Sequence, residues 1–399
     1  MNIGEIISGI FASSGFNAIG QQLMNGGWKY LVMYAIVAVL FYLAIVKKFE
    51  PLLLLPIAFG MLLANLPGSN IFTMNYFVQD GGAVINWAEL GAHGGLLDYL
   101  YLGVKLGIYP PLIFMGIGAM TDFKPLISNP KTLLLGAAAQ FGAFIAFIGA
   151  LLLGFSAAEA AAIGIIGGAD GPTAILVTKT LAPHLLGAVA IAAYSYMALI
   201  PMIQPPFMKM LTSKKERTIH MEATRPVSKT EEIVFPIICA LIVCLILPDA
   251  TPLIGMLMLG NLFKVSGVTE RLSKTAQNEL CNIITIMLGV SVGATCDAEN
   301  FLSTQTVYII VLGLCAFIFA TIGGLLVGKL MCWITRGKIN PLIGSAGVSA
   351  VPMAARVSQI VGQKEDPSNF LLMNAMGPNV AGVIGSAVAA GVFLTMFKI

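Results

Sequence analysis

The sequence predicts an all-α polytopic membrane protein with about ten transmembrane helices in two inverted-topology repeats of five, each repeat carrying a broken re-entrant hairpin. Three observations predict it. Of the 399 residues, 57% are hydrophobic and only 10% charged, with a mean hydropathy of +0.89, whereas a soluble domain carries about 25% charged residues. Apolar runs long enough to cross a bilayer recur from residue 28 to the end of the chain. Basic residues concentrate in alternate loops, as threading through a membrane requires.

The elements follow in order. Residues 1–27 hold Glu5 as their single charge, and lack the basic start of a cleavable signal peptide. They are expected to form an N-terminal interfacial segment. Spans are expected at 28–46, 51–66, 99–120 and 133–153. The next apolar segment, 158–181, is interrupted by Gly167, Gly168, Asp170, Gly171 and Pro172, so it is expected to break rather than cross. A span at 185–208 completes a first repeat, 28–208. The polar stretch 209–231 is expected to be a basic cytoplasmic linker. The second repeat, 232–399, restates the plan with spans near 233–247, 252–265, 280–293 and 307–334. A broken segment at 340–361 carries Gly344, Gly347 and Pro352, and a last span lies at 370–397. IFMGIGAMTD, ending at Asp122, is matched by IMLGVSVGATCD, ending at Asp297.

Charge placement decides the threading. If neither broken segment crosses, 17 of the 22 basic residues fall on one side, including Lys47, Lys48, Lys124, Lys131 and six between 209 and 229. The opposite loops hold none, but do hold Asp80, Glu89, Glu159, Asp249, Asp297 and Glu299. Lys and Arg mark the cytoplasmic face. Both broken segments are therefore expected to be hairpins that enter and leave on one side, the first from outside and the second from the cytoplasm. With five spans per half the repeats are inverted, and both termini are expected outside. This is the plan of secondary transporters, whose unwound backbone meets near the midplane.

Chemistry is expected at the two breaks. The first carries GGADGPTAI, in which Asp170 is an acid inside an apolar segment. A charge there costs about 2.5–3.5 kcal/mol and calls for a cation, a proton or a basic partner. Glycines that free the backbone and Pro172, which lacks an amide hydrogen, expose carbonyl oxygens. A carboxylate among carbonyls suits a hard ion such as Na+; a neutral aspartic acid pinning a kink is the plain alternative. The second break carries NPLIGSAGVSAVPMAAR. Asn340, Ser345 and Ser349 can donate oxygen ligands to Na+, and Gly344 and Gly347 are close-approach points of the hairpin backbone. Arg356 is a candidate to pair with Asp170 or to hold an anionic carboxylate in its planar fork, unless it snorkels to headgroups. Of Tyr194 and Tyr196, two residues apart on one helix, at most one is expected to face the site, the plain alternative being interfacial anchoring. Asn374, Asn379 and Ser386 in the last span read as helix packing.

Other chemistries are disfavoured. A net charge of +3 suggests no nucleic-acid partner. Six cysteines without a CxxC pair read as free thiols, and three scattered histidines make no zinc pattern. Met208-Lys209-Met210 imitates a biotinylation site but ends a span, so no covalent biotin is expected on this chain. The run from Gly164 to Gly171 lacks the GK[ST] of a nucleotide loop.

From KKFEPLLLLPIAFG onward, and above all in GGADGPTAI, in Tyr196 and in the spacing of Asn340, Gly344, Ser349 and Arg356, the chain resembles the β subunits of the biotin-dependent, sodium-pumping decarboxylases, which act in oxaloacetate, methylmalonyl-CoA, glutaconyl-CoA and malonate-type enzymes. The resemblance implies that these residues and Asp170 form the functional set, with Asp170, Tyr196 and Arg356 catalytic, Arg356 meeting carboxybiotin, and Asp170, Asn340 and Ser349 on Na+. It implies a carboxybiotin decarboxylase subunit of the bacterial cytoplasmic (inner) membrane that exports Na+ and consumes a proton. The implied partners are a carboxyltransferase α subunit, a biotin carrier protein, a small single-span membrane subunit and further copies of the chain, a trimeric core being the family-level expectation. From the residues alone, a Na+-coupled carrier of a small organic anion with no chemistry of its own fits as well.

Overall fold

The computed structural model of the chain describes residues 14–24, 27–77, 84–222 and 224–397, and of residues 16, 21–24, 198, 299 and 300 the backbone alone. The expected interfacial segment is thus described from Ser14, as a helix over Gly15–Met24. Its first thirteen residues, and Asp80, lie outside the described residues.

Among the described residues the chain is helical, with no strand. Helix α1 (Trp28–Phe41) runs on through a π-helical turn to Val46, and α2 (Pro51–Ala64) follows with Pro51 at its first position, where a missing amide hydrogen costs nothing. α3 (Leu96–Lys105) and α4 (Tyr109–Met120) are bent by 67° to one another. The expected span 99–120 breaks there because Gly107 takes a φ of 76° and Pro110 and Pro111 cannot donate to the preceding turn. α5 (Pro130–Leu152) leads to the first broken segment, which consists of α6 (Ala157–Gly164), a 3-10 turn (Ile165–Gly168) and α7 (Gly171–Leu181). Ser156 and Glu159 close a reciprocal capping box at the start of α6. α8 (Leu186–Leu211) completes the first half.

The second half contains α9 (Lys229–Ile246), α10 (Thr251–Ser266), α11 (Cys281–Ala294) and α12 (Thr304–Ile334). Its broken segment is a 3-10 helix (Pro341–Gly347), an irregular stretch, and α13 (Met353–Glu365); α14 (Leu372–Phe397) follows. Among the described residues four helices, α1 with its π turn, α5, α12 and α14, have the length and composition to cross a membrane, or up to six when two bent pairs are each joined. The shortfall against ten has a physical reason. α2 and α11 have 14 residues and α10 has 16, about 21–24 Å of helix against roughly 30 Å of hydrocarbon. α9 has 18 residues but starts with Lys229, Glu231 and Glu232.

Two packing groups organise the helices. In one, α2 lies against α11 and α4 against α10. The helix backbones touch at glycines. A Cβ at Gly60 would strike the Val290 carbonyl and one at Gly293 the Ile57 carbonyl; one at Gly118 would strike the Leu257 carbonyl and one at Gly260 the Met115 carbonyl. Close backbone approach through small residues is how helices associate where lipid removes the hydrophobic drive. Asparagines tie each pair: Asn65 Nδ2 donates to the Cys296 carbonyl (2.8 Å) and Asn261 Nδ2 to that of Thr121 (3.1 Å). The outer face of α9 shows Val234, Ile237, Ile238, Leu241, Ile242 and Leu245, an apolar stripe that suits acyl chains and not water. Apolar helices of this kind, arranged in series, make the chain a multi-pass membrane protein.

In the other group, α5, α8, α12 and α14 enclose the two broken segments. Residues 160–178 and 339–350 are buried without interruption. Irregular backbone tolerates the apolar interior only where protein supplies its hydrogen bonds, and these helices do so.

A candidate cation site where two broken helices meet

The first break is a change of backbone direction within three residues. Gly168 ends the 3-10 turn, Ala169 takes a left-handed φ of 59°, and Asp170 (φ −130°, ψ 103°) stands at the N-cap position of α7. A non-glycine residue held at positive φ is strained, and such strain gathers at functional sites. Asp170 is 6% exposed. Its Oδ2 accepts from Thr173 Oγ1 (2.6 Å), one turn ahead, and from Ser386 Oγ (3.0 Å) on α14. Ser386 Oγ also lies 3.0 Å from the Val383 carbonyl oxygen, so its single hydroxyl hydrogen has a second acceptor whenever Asp170 gives it up. No ion pair with a basic side chain reaches Asp170 among the described residues.

The second break meets the first at Ser349, whose Oγ donates to the Gly168 carbonyl (2.6 Å). The hairpins are therefore joined two residues from Asp170. α14 serves both breaks. Ser386 holds Asp170, while Asn379 Nδ2 donates to the carbonyls of Ala346 (2.9 Å) and Val348 (2.8 Å). The two are seven residues apart, two helical turns, and so share a face. Gly382 lies between them, and a Cβ there would strike the Gly347 carbonyl. Gln204 of α8 supports the same stretch from the other side, Nε2 to the Ser345 carbonyl (2.9 Å). The Ser345 hydroxyl is taken up within its own hairpin, by the Leu342 carbonyl (2.8 Å) and Ser358 (3.0 Å).

The remaining sequence-predicted residues take varied positions. Gly344 packs against Gly324 of α12 so closely that a Cβ on either would strike the other's carbonyl; it is the close-approach point expected. Asn340 is engaged elsewhere than at Asp170. Its Oδ1 accepts from Leu342 N (3.0 Å), and its Nδ2 donates to the carbonyls of Arg217 (3.0 Å) and Ile219 (2.9 Å) in the linker. Asn369 Nδ2 donates to the same two carbonyls (3.1 and 3.2 Å), and Arg217 pairs with Glu365 (2.9 Å). This clamp ties the linker to both ends of the second broken segment. Nearby, hydrogen bonds from Ser368 and then His220 hold the half-buried Asp366 carboxyl down to about 2.

Arg356 does not pair with Asp170. It is exposed in the first turn of α13, and its guanidinium has no hydrogen-bond or ion-pair partner among the described residues. A cation in the first turn opposes the helix dipole, an arrangement that an anion beside it would relieve. Of the tyrosines, Tyr196 donates its hydroxyl to the Ile310 carbonyl and packs on Phe317 (ring centroids 5.7 Å). Tyr194 is the one beside Asp170: its ring fills the space a side chain at Gly171 would need, and its hydroxyl is buried without a partner. Thr173, Ser386 and Gln140 are not among the expected site residues, and of the two tyrosines the resemblance implies Tyr196 rather than Tyr194. A signal existed for two of them. Gln140 is the single polar side chain of the run 133–153, and Ser386 stands two turns from Asn379 on one helix.

Residues 29–397 match the family model described as the Na+-transporting oxaloacetate decarboxylase beta subunit. The chain is 60% identical over 373 residues to the methylmalonyl-CoA decarboxylase subunit beta of Propionigenium modestum, covering 92% of this chain and 94% of that one. It is 58% identical to the glutaconyl-CoA decarboxylase subunit beta of Acidaminococcus fermentans, covering 92% and 93%, and 53% identical to an oxaloacetate decarboxylase beta chain of Salmonella typhi, covering 94% and 96%.

Proposed function

Because the chain belongs to the family of Na+-transporting decarboxylase β subunits, we propose that it decarboxylates carboxybiotin presented by a biotin carrier protein and couples that step to Na+ export with consumption of a proton. The observation that carries this reading is Asp170: a buried carboxylate at a helix break, given hydroxyl donors by Thr173 and Ser386 but no basic partner. An unpaired buried charge is costly, so the group is left to hold either a cation or a proton. The two are mutually exclusive, and that exclusion is the coupling. Na+ is the cargo, with Asp170 its anionic ligand and oxygens of the Ser349–Gly168 contact beside it. Carboxybiotin approaches from the cytoplasm and meets Arg356, whose guanidinium is unpartnered. As CO2 leaves, biotin takes a proton from Asp170 or a tyrosine hydroxyl, and the site changes its occupant. Asn340 contributes through the linker clamp, which holds the second hairpin in place at its cytoplasmic end.

The architecture proposed is two inverted repeats of five spans, ten in all, with hairpins that do not cross. The glycine contacts support it, because α2 packs on α11 as α10 packs on α4, the exchange a two-fold axis between halves would produce. The hairpin arms fit it too: α7 has 11 residues and α13 has 13, shorter than the 14–16 residues of α2, α10 and α11. In this arrangement the chain sits in the bacterial cytoplasmic membrane with both termini outside. Its partners are a carboxyltransferase α subunit, the biotin carrier, a small single-span subunit and further copies of itself in a trimeric core.

The purified complex in sealed liposomes tests the reading. Addition of carboxylated substrate is expected to drive 22Na+ uptake together with CO2 release and alkalinisation. Na+ movement that follows an organic-anion gradient without CO2 release would establish a simple carrier instead.

A further inference from the structure

Gln140 stands one helix away from Asp170 and is the single polar side chain between residues 133 and 153. It is 6% exposed. Its Nε2 makes a long hydrogen bond to the Gly382 carbonyl (3.4 Å), but its Oε1 is buried with no partner. A buried acceptor left unmade is destabilising, and in a native fold it asks for an occupant. The direction of that oxygen is informative. A Cβ built on Gly168 would lie 3.4 Å from Gln140 Oε1 and 3.1 Å from Ser386 Cβ. The space that glycine leaves open is thus bordered by a bare amide oxygen and by the residue whose hydroxyl reaches Asp170 Oδ2. The Gly168 carbonyl on the same residue already carries Ser349.

We propose that Gln140 supplies a neutral oxygen ligand to the Na+ site of Asp170, and that Gly168 lacks a side chain to leave room for it. This rests on the reading of Asp170 as the anionic ligand. A hard cation takes several oxygens, and an amide adds one without adding charge. Asp170 then remains the one group whose charge switches, so a proton arriving there is enough to release the ion.

The test uses the whole complex, with CO2 release measured against Na+ concentration for the wild type and for Gln140→Leu, Gln140→Glu and Asp170→Asn. Gln140→Leu is expected to raise the Na+ concentration for half-maximal turnover about tenfold, a change of about 1.4 kcal/mol, while turnover at saturating Na+ stays within about twofold. Gln140→Glu returns an oxygen to the same place and is expected to recover most of the Na+ response. A purely structural glutamine would lower the amount of assembled complex or its limiting turnover and leave the half-saturating Na+ unchanged. That result, alongside a dead Asp170→Asn, overturns the role of Gln140 and leaves the Asp170 site standing. A normal Na+ response in Asp170→Asn removes the site and this inference with it. Should Gln140→Leu not assemble, Gln140→Asn, which withdraws the oxygen by one methylene, carries the same comparison.

Discussion

Replacing Asp170 by asparagine removes one charge and little else. The amide oxygen of the introduced side chain can still accept from Thr173 and Ser386, whose hydroxyls lie 2.6 and 3.0 Å from Asp170 Oδ2, so the break, the cap of α7 and the Ser349–Gly168 contact are expected to survive. The loss at the site is electrostatic. A carboxylate oxygen at about 2.4 Å from a monovalent cation, the range of hard-cation ligands, interacts with about 7 kcal/mol at an effective dielectric constant of about 20. The amide dipole replaces part of this. If only a third is lost, about 2 kcal/mol, Na+ affinity falls more than tenfold. The proton alternative is lost outright, because an amide does not ionise. Na+ export and Na+-stimulated decarboxylation should therefore both collapse while the complex still assembles. The assay is 22Na+ uptake into liposomes and CO2 release on the same preparation, titrated over Na+. Near-normal Na+-stimulated turnover refutes the reasoning, since it would mean that the buried charge is neither ligand nor switch.

Other outcomes follow from the same geometry. Arg356→Leu is expected to depress decarboxylation sharply even at saturating Na+, because the unpartnered guanidinium is read as the carboxylate's contact; unchanged kinetics would leave it a headgroup anchor. Asn340→Ala removes the hydrogen bonds to the Arg217 and Ile219 carbonyls, each worth about 1 kcal/mol net, and should make the linker near residues 214–222 more protease-sensitive; equal cleavage rates would show that Asn369 holds the clamp alone. The Asp366 carboxyl sits at about 2 in the folded protein against an ordinary 3.8, so its contribution is present above pH 3.8 and is lost as the pH falls through about 2. Protection of the amides at residues 366–369, the exchange rate relative to an unstructured peptide at the same pH, should therefore hold at about pH 5 and fall below about pH 4; a fall already near pH 6 would assign the effect to another group.

Much of this protein is legible in its sequence, because the bilayer imposes one-dimensional rules. Apolar run length and basic-residue placement speak for a membrane bundle, and glycines around a lone acid mark the first break, GGADGP, at the residue where the helix does fail. The close approach at Gly344 likewise follows from its type and context. What a string of residues cannot carry is which neighbours arrive from elsewhere in the chain. Ser386 looks like a small packing residue until α14 is laid against the first break, 216 positions away in sequence. Asn340 looks like a ligand until the linker carbonyls claim its amide. Tyr194 and Tyr196 are equivalent by composition, and only the rotation of α8 against Gly171 puts Tyr194 beside the acid. Apolar run length likewise does not tell which helices pair: α2 packs on α11 and α10 on α4 through glycine contacts, a pairing across the two halves that only the tertiary structure shows. Local polarity and the bilayer determine that a carboxylate must be compensated; the packing of four helices around two breaks decides which oxygens surround it.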